Sequence, residues 1–286
     1  MIESYYLAEQ NQVISKMKDA KYHVLLVNDD GIKSPGLFAA AEALSQISYV
    51  TVAAPRVQWS GAGRSHPLSS DGRIKVKKLP VNGEDWDTYA VGGSPAQTVV
   101  HAIHELCPRR PDLVVSGINY GENAGSGVTA SGTVGAALEA ASMGIPALAI
   151  SLEVHRDYQL SYSTSINFSV AKYFTKLFAE KMLTHPMPYD VDLLKVEVPE
   201  NATPETPWRI TRLSRRPYYK LTIRHRDNLA EPVHIDYDVD KNTFDLETDG
   251  DNYAILVDRV VAVTPMSVDF TSRVALNDLD GLLRQP

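Results

Sequence analysis

The chain is most constrained by one stretch near its start. An apolar run, YHVLLV from Tyr22 to Val27, ends abruptly in Asn28, Asp29, Asp30 and Gly31, and GLFAAAEALSQI follows directly after Pro35. A short run that is apolar throughout, rather than in alternation, predicts a strand buried on both faces, as in a parallel sheet. Leu37, Ala40, Ala41 and Leu44 recur at helical spacing, and Pro35 suits a first helical turn. YVTVAAP, Tyr49 to Pro55, reads as a second parallel strand, so the opening is a βαβ unit. It lacks G-x-G-x-x-G, which argues against a standard dinucleotide site.

Side chains alternate across a strand, so Asp29 and Asp30 can converge on one ligand only if the strand ends at the pair, and Gly31 supplies that break. Paired carboxylates at the carboxyl end of a buried strand sit where open α/β sheets bind ligands, and they call for a hard divalent cation. Taken alone, the doublet is equally consistent with a turn and a helix-capping aspartate. The net charge of -7 excludes general attraction to nucleic acid or anionic lipid, so an anionic substrate needs a local positive device. No apolar run approaches the roughly 18 residues of a membrane span. The lone Cys107 rules out an internal disulfide framework, and the polar start is not a secretory signal. The expected address is the cytoplasm.

Two later loops leave strand ends in the same crevice. RVQWSGAGRSHPLSSDG, following Pro55, carries Ser60, Gly61, Gly63, Arg64 and His66, and a serine hydroxyl there can complete an oxygen shell. RIKVKKLPVNGEDWDTYAV alternates around Asn82-Gly83 and predicts a hairpin. Gly92 to Pro95 lead into a helix on which His101 and His104 read as surface residues. Asp112 to Ser116 is a third buried strand, continuing into a glycine-rich loop with Asn119 and Asn123. Ser131 then N-caps the helix TVGAALEAASM, whose free N–H groups form an anion site without a lysine. PALAIS, Pro146 to Ser151, is another buried strand.

VNDDGIKSPG, APRVQWSGAG, GGSPAQTVVHAI and PDLVVSGINYGENAG followed by SGTVGAALEAASMGIPALAIS, in this order over Val24 to Ser151, resemble the SurE (survival protein E) family of metal-dependent nucleotidases. The resemblance implies a Rossmann-like α/β fold: a doubly wound, mostly parallel sheet with a C-terminal β-hairpin extension. It implies hydrolysis of nucleoside 5′- and 3′-monophosphates with one divalent ion, Mg²⁺ or Mn²⁺, per subunit. The family's metal ligands fall on Asp29, Asp30, Ser60 and Asn119, with Asp29, Asp30 and Asn119 as the catalytic set. Asn28, Gly61, Asn123, Ser131, Gly132 and Thr133 fall on the phosphate and substrate side. A homodimer or homotetramer through C-terminal hairpins is implied, with neither nucleic acid nor membrane as partner. The chain departs from the pattern at Ala130, where a tyrosine is usual, at Ser94 in place of threonine, and at Arg273, where some members carry histidine.

The expected organisation is an extension over 1–21, an α/β catalytic core over 22–190, and a C-terminal part over 191–286. Tyr158 to Met182 reads as one long helix and DLLKVEVPE as a strand. RITRLS, YKLTIRH, VHIDYDV and NTFDLE read as hairpin strands outside the main sheet, and Val274 to Leu283 as a closing helix packed on the core. Asp236, Asp238, Asp240 and Asp245 lack a calcium-loop pattern and read as a solvated face. The competing readings are a phosphoaspartate phosphatase, which would want its acids one residue apart, and a non-catalytic nucleotide or metal sensor on the same fold.

Overall fold

The computed structural model describes residues 20–159 and 163–285. The expected extension over 1–21 lies, apart from its last two residues, outside them.

In chain order the elements are β1 (His23–Val27), α1 (Pro35–Leu44), β2 (Tyr49–Pro55), β3 (Ile74–Val81), β4 (Glu84–Val91), α2 (Pro95–His101), β5 (Leu113–Tyr120), α3 (Gly132–Ser142), β6 (Ala147–Leu152), α4 (Ser169–Thr184), β7 (Leu193–Val198), β8 (Trp208–Ile210), β9 (Tyr219–Ile223), β10 (Ile235–Val239), α5 (Asp251–Tyr253), β11 (Val261–Met266) and α6 (Leu276–Leu283). The main sheet runs β3-β4-β2-β1-β5-β6-β7-β11-β8. Its centre, β4-β2-β1-β5-β6-β7, is parallel throughout. β3 closes one side antiparallel to β4, and on the other side β11 runs antiparallel to β7 and carries β8, parallel to it, at the edge.

The apolar strands are buried on both faces because helices cover both. Val24 and Leu26 of β1 pack with Leu37 and Leu44 of α1 and Phe174 and Phe178 of α4. Leu25 and Val27 face the other way, onto Val99 of α2 and Val134 and Ala137 of α3. From β1 the chain winds to β2 on one side and returns to β5 on the other, so the switch in direction falls between β1 and β5. The crevice outside their carboxyl ends is where such a sheet takes a ligand.

The β3–β4 hairpin turns at Asn82 and Gly83, both at positive φ (50° and 82°), the geometry an Asn-Gly turn supplies. β9 and β10 form a separate antiparallel hairpin, as expected.

Several elements differ from expectation, β5 among them, which runs past the expected end at Ser116 to Tyr120. The long helix begins only at Ser169, because the hydroxyls and amide preceding it make local turns instead: Asn167 Oδ1 accepts from the Ser169 N–H at 2.9 Å. RITRLS supplies β8, which joins the main sheet parallel to β11, and NTFDLE forms no strand. The closing helix α6 exists, yet every one of its residues is exposed, so it does not pack on this chain's core. Among the described residues no helix is long and apolar enough to cross a membrane.

Candidate active site

β1 ends at Val27, and the chain turns through Asn28 to Gly31. Asn28 and Gly31 exchange two hydrogen bonds of 3.1 Å each, which fold the turn on itself, and Gly31 takes a positive φ of 97°. This turn carries Asp29 and Asp30 into the crevice, both buried.

Each acid is held by a different neighbour. The Thr133 hydroxyl donates to Asp29 Oδ1 at 2.5 Å. Helix α3 starts against the same carboxylate: a Cβ on Gly132 would stand 2.8 Å from Asp29 Oδ2, so only glycine fits there. On Asp30, Gln58 Nε2 donates to Oδ1 at 3.1 Å and the Tyr120 N–H to Oδ2 at 3.3 Å. Burial pushes the Asp29 carboxyl up to about 6, against the pull of the Thr133 hydroxyl and of the Gly132 and Thr133 backbone N–H groups. Asp30 is pushed well above the usual carboxylate range, first by burial and then by the charge of Asp29.

Two adjacent buried acids, both pushed up by burial and Asp30 also by the charge of Asp29, favour a cation between or beside them. Oxygen donors are what a hard divalent ion takes. Asn119, at the end of β5, commits its Nδ2 to the Gly121 carbonyl at 2.7 Å, which leaves Oδ1 as the end available to a cation. Ser60 arrives on the loop after β2. The Trp59 N–H donates to the Asp29 carbonyl at 2.8 Å and the Gly63 N–H to the Ala130 carbonyl at 2.9 Å, so this loop crosses the end of β1 and the start of α3. Ser60 itself is exposed, and beside it a Cβ added at Gly61 would meet nothing within 4 Å. The Asp29, Asp30 and Asn119 oxygens at this crevice therefore fit a hard divalent ion, and Ser60 lies exposed on the neighbouring loop. Among the described residues no three His, Cys, Asp or Glu side chains gather to make another such centre.

The expected phosphate-side residues divide into distinct jobs. Ser131 caps α3 by accepting from the Val134 N–H at 3.1 Å. Thr133 spends its hydroxyl proton on Asp29, so its side chain serves the acid pair. Asn123 donates its Nδ2 to Ser151 Oγ at 3.0 Å and its backbone N–H to Glu197 at 2.9 Å. Asn28 shapes the turn. His101 pairs with Glu105 on the helix surface, and Asp236 and Asp238 surround Arg156. A cavity of about 650 Å³ opens where β2 begins, lined by Tyr49, Trp86 and Tyr89. It contains none of the expected site residues.

The family model described as survival protein SurE matches residues 24–220. The chain belongs to the SurE family. Among its relatives, "5'-nucleotidase SurE" of Thermococcus gammatolerans is 40% identical over 260 residues, covering 91% of this chain and 95% of that one. "5'-nucleotidase SurE" of Archaeoglobus fulgidus is 40% identical over 259 residues, covering 90% and 96%. The crystal structure of the SurE protein from Aquifex aeolicus superposes with a TM-score of 0.73 at 31% identity, over 91% of this chain and 99% of that chain. The SurE match begins within β1 and ends within β9, so it takes in every expected site residue.

Sequence reasoning missed the residues behind the site. Gln58 stands two positions before Ser60 and gave no signal of its own. Lys195 and Glu197 did give one: they are charged residues at alternate positions of a strand whose every residue is buried.

Proposed function

We propose that this protein is a metal-dependent phosphomonoesterase that hydrolyses nucleoside 5′- and 3′-monophosphates to nucleoside and phosphate. The observation that carries the reading is the buried Asp29–Asp30 pair at the switch point of the sheet, held by Thr133 from α3, by Gln58 from the loop after β2 and by Tyr120 at the end of β5. The names of the relatives supply the substrate class.

In this reading Asp29, Asp30, Ser60 and Asn119 hold one Mg²⁺ or Mn²⁺ ion. The ion supplies positive charge against the phosphoryl oxygens and the charge that develops on them. Thr133 and Gln58 keep the two carboxylates aimed. The first turn of α3 offers its N–H groups and partial positive charge beside Asp29, where an incoming phosphate shares them. Asn123 orients the phosphate from the opposite loop, and water is the nucleophile. The active form is a homodimer or homotetramer built through the C-terminal hairpin, working in the cytoplasm. That assembly is supported by the exposed Leu221, Ile223 and Ile235 of β9 and β10.

The test is phosphate release from a panel of nucleoside monophosphates and p-nitrophenyl phosphate, with Mn²⁺, Mg²⁺ or EDTA, comparing the parent with Asp29→Asn. Metal-dependent turnover that the substitution abolishes is expected. Turnover in EDTA, or full activity in the variant, overturns the mechanism. No release from any substrate favours a nucleotide or metal sensor instead.

A further inference from the structure

Behind Asn123 lies a group of buried charges that the proposed chemistry does not use. Lys195 and Glu197 occupy alternate positions of β7, with side chains 0% and 1% exposed, and Asp251 begins α5, also 0% exposed. Lys195 Nζ is 3.0 Å from Asp251 Oδ2 and 3.5 Å from Glu197 Oε1, so one cation is shared between two anions. Taking three ionised groups out of water costs several kcal/mol per ion, and well-packed apolar residues are often no less stable in their place. Stability alone does not account for the cluster.

What the two carboxylates do besides meeting the lysine points to the loop after β5. Glu197 Oε2 accepts the backbone N–H of Asn123 at 2.9 Å, and Asp251 Oδ2 accepts that of Gly125 at 3.0 Å. These N–H groups lie in a segment outside the named strands, where Gly125 makes only an isolated bridge to Pro217, and buried donors of this kind must be met by something. Glu197 reaches the Asn123 side chain as well, through Ser151 at the end of β6. The Ser151 hydroxyl donates to Glu197 Oε1 at 3.3 Å, and Asn123 Nδ2 donates to Ser151 Oγ at 3.0 Å. The direction of this relay matters. An ionised carboxylate only accepts, so Ser151 must turn its proton toward Glu197, and its oxygen is then left to accept. The Asn123 carboxamide is thereby locked with its NH₂ inward on Ser151. Its oxygen and second N–H keep one fixed orientation.

We infer that Ser151, Glu197 and Lys195 are positioning residues for Asn123: through the Lys195-neutralised Glu197 carboxylate they fix both the loop backbone and which way the Asn123 amide faces the substrate. The inference rests on the reading of Asn123 as a substrate contact. Removing the hydroxyl frees the amide to flip. Glu197→Gln keeps the volume and a carbonyl for the Asn123 N–H but turns an NH₂ toward Ser151. The serine then donates to Asn123, and the carboxamide reverses.

The experiment is a double-mutant cycle. kcat and KM for adenosine 5′-monophosphate are measured with Mn²⁺ for the parent, Ser151→Ala, Glu197→Gln, Asn123→Ala, and the two doubles that combine Asn123→Ala with each of the others. Ser151→Ala and Glu197→Gln each lose about tenfold in kcat/KM. In the Asn123→Ala background neither loses anything further, because the group they orient is gone. Losses that multiply undiminished in the doubles, or single variants at the parental rate, overturn the inference. If the parent releases no phosphate, the enzymatic reading fails by itself. The same cycle is then read calorimetrically as affinity for adenosine 5′-monophosphate: coupled losses uphold the positioning role, and independent losses, unchanged affinity or no binding by the parent overturn it.

Discussion

At Asp29, burial and hydrogen bonding act in opposite directions, and burial wins: the carboxyl is pushed up to about 6 despite a hydroxyl and three backbone N–H groups turned toward it. A carboxyl whose folded pKa lies above its unfolded value of ~3.9 destabilises the fold when ionised. The penalty is absent below about pH 4, grows as pH rises through the window, and is complete above about pH 6, where at ~1.4 kcal/mol per pKa unit it amounts to about 3 kcal/mol. In EDTA at pH 8, Asp29→Asn is therefore expected to raise Tm by scanning calorimetry while abolishing activity, and the gap is expected to close near pH 4. Adding Mn²⁺ should raise the parent's Tm at pH 8 and leave the variant's unchanged; equal Tm values in EDTA at pH 8 would show that the carboxylate is not desolvated. Thr133 gives a second expectation from the same contact. Thr133→Val removes the 2.5 Å hydrogen bond to Asp29 and should cost at least tenfold in kcat/KM, whereas Thr133→Ser, which keeps the hydroxyl, should retain most activity. At this scale Asp29, Asp30 and Ser131 were legible because they sit at boundaries that local sequence marks, whereas Asn119, expected on a loop after Ser116, lies within β5, which runs on to Tyr120 past an irregularity. Their supports were not legible. Gln58 reaches Asp30 across 28 positions and Glu197 reaches Asn123 across 74, and only the order of strands in the sheet brings such pairs together.

Among the elements, α3 does more than offer an N-terminus. A Cβ on Gly135 would come within 2.2 Å of the Gly63 carbonyl oxygen and 2.7 Å of the Arg64 nitrogen, so the Ser60 loop lies directly on the helix backbone. Arg64 and His66 fasten that loop by meeting Glu139 on the same helix, at 2.6 and 3.1 Å. Gly135→Ala presses a methyl group against backbone atoms that cannot swing aside. It is expected to cost about 1–3 kcal/mol in urea denaturation and to lower kcat/KM as the loop is pushed away. Gly83→Ala is the matching control. The turn is at φ 82° with nothing near the added methyl, so about 1 kcal/mol of strain should appear in stability and none in kinetics. A comparable activity loss in both variants would refute the seating of the loop on α3. The parallel strands and the Asn82-Gly83 hairpin were legible because burial on both faces and turn chemistry are written locally. β8 was not, since three residues of partial alternation suit an edge strand of either sheet, and it is the pairing with Val261–Val263 that decides.

For the whole molecule, the surface left by the fold is the informative part. Leu221, Ile223 and Ile235 on the projecting hairpin are 66%, 62% and 60% exposed, and Leu276, Leu279, Leu282 and Leu283 of α6 are all exposed among the described residues. Periodicity correctly indicated the helix but not its partner, because an apolar stripe specifies that something covers it and not which chain does so. Scattered exposed leucines are ordinary, whereas four on one short helix form a patch of the kind that supports the proposed assembly. In the proposed assembly the covering surface is a second copy, since a two-fold contact lets the same hairpin and helix serve both subunits. Light scattering after gel filtration is then expected to give a multiple of the 31.5 kDa chain mass for the parent. Leu279→Glu combined with Leu283→Glu, four residues apart on one face of α6, puts two charges into that contact and is expected to shift the mass down. The parent's Tm should rise with protein concentration and that of the double variant should not, since only an associating fold is stabilised by mass action. A parent that runs at the mass of one chain at all concentrations would exclude this assembly.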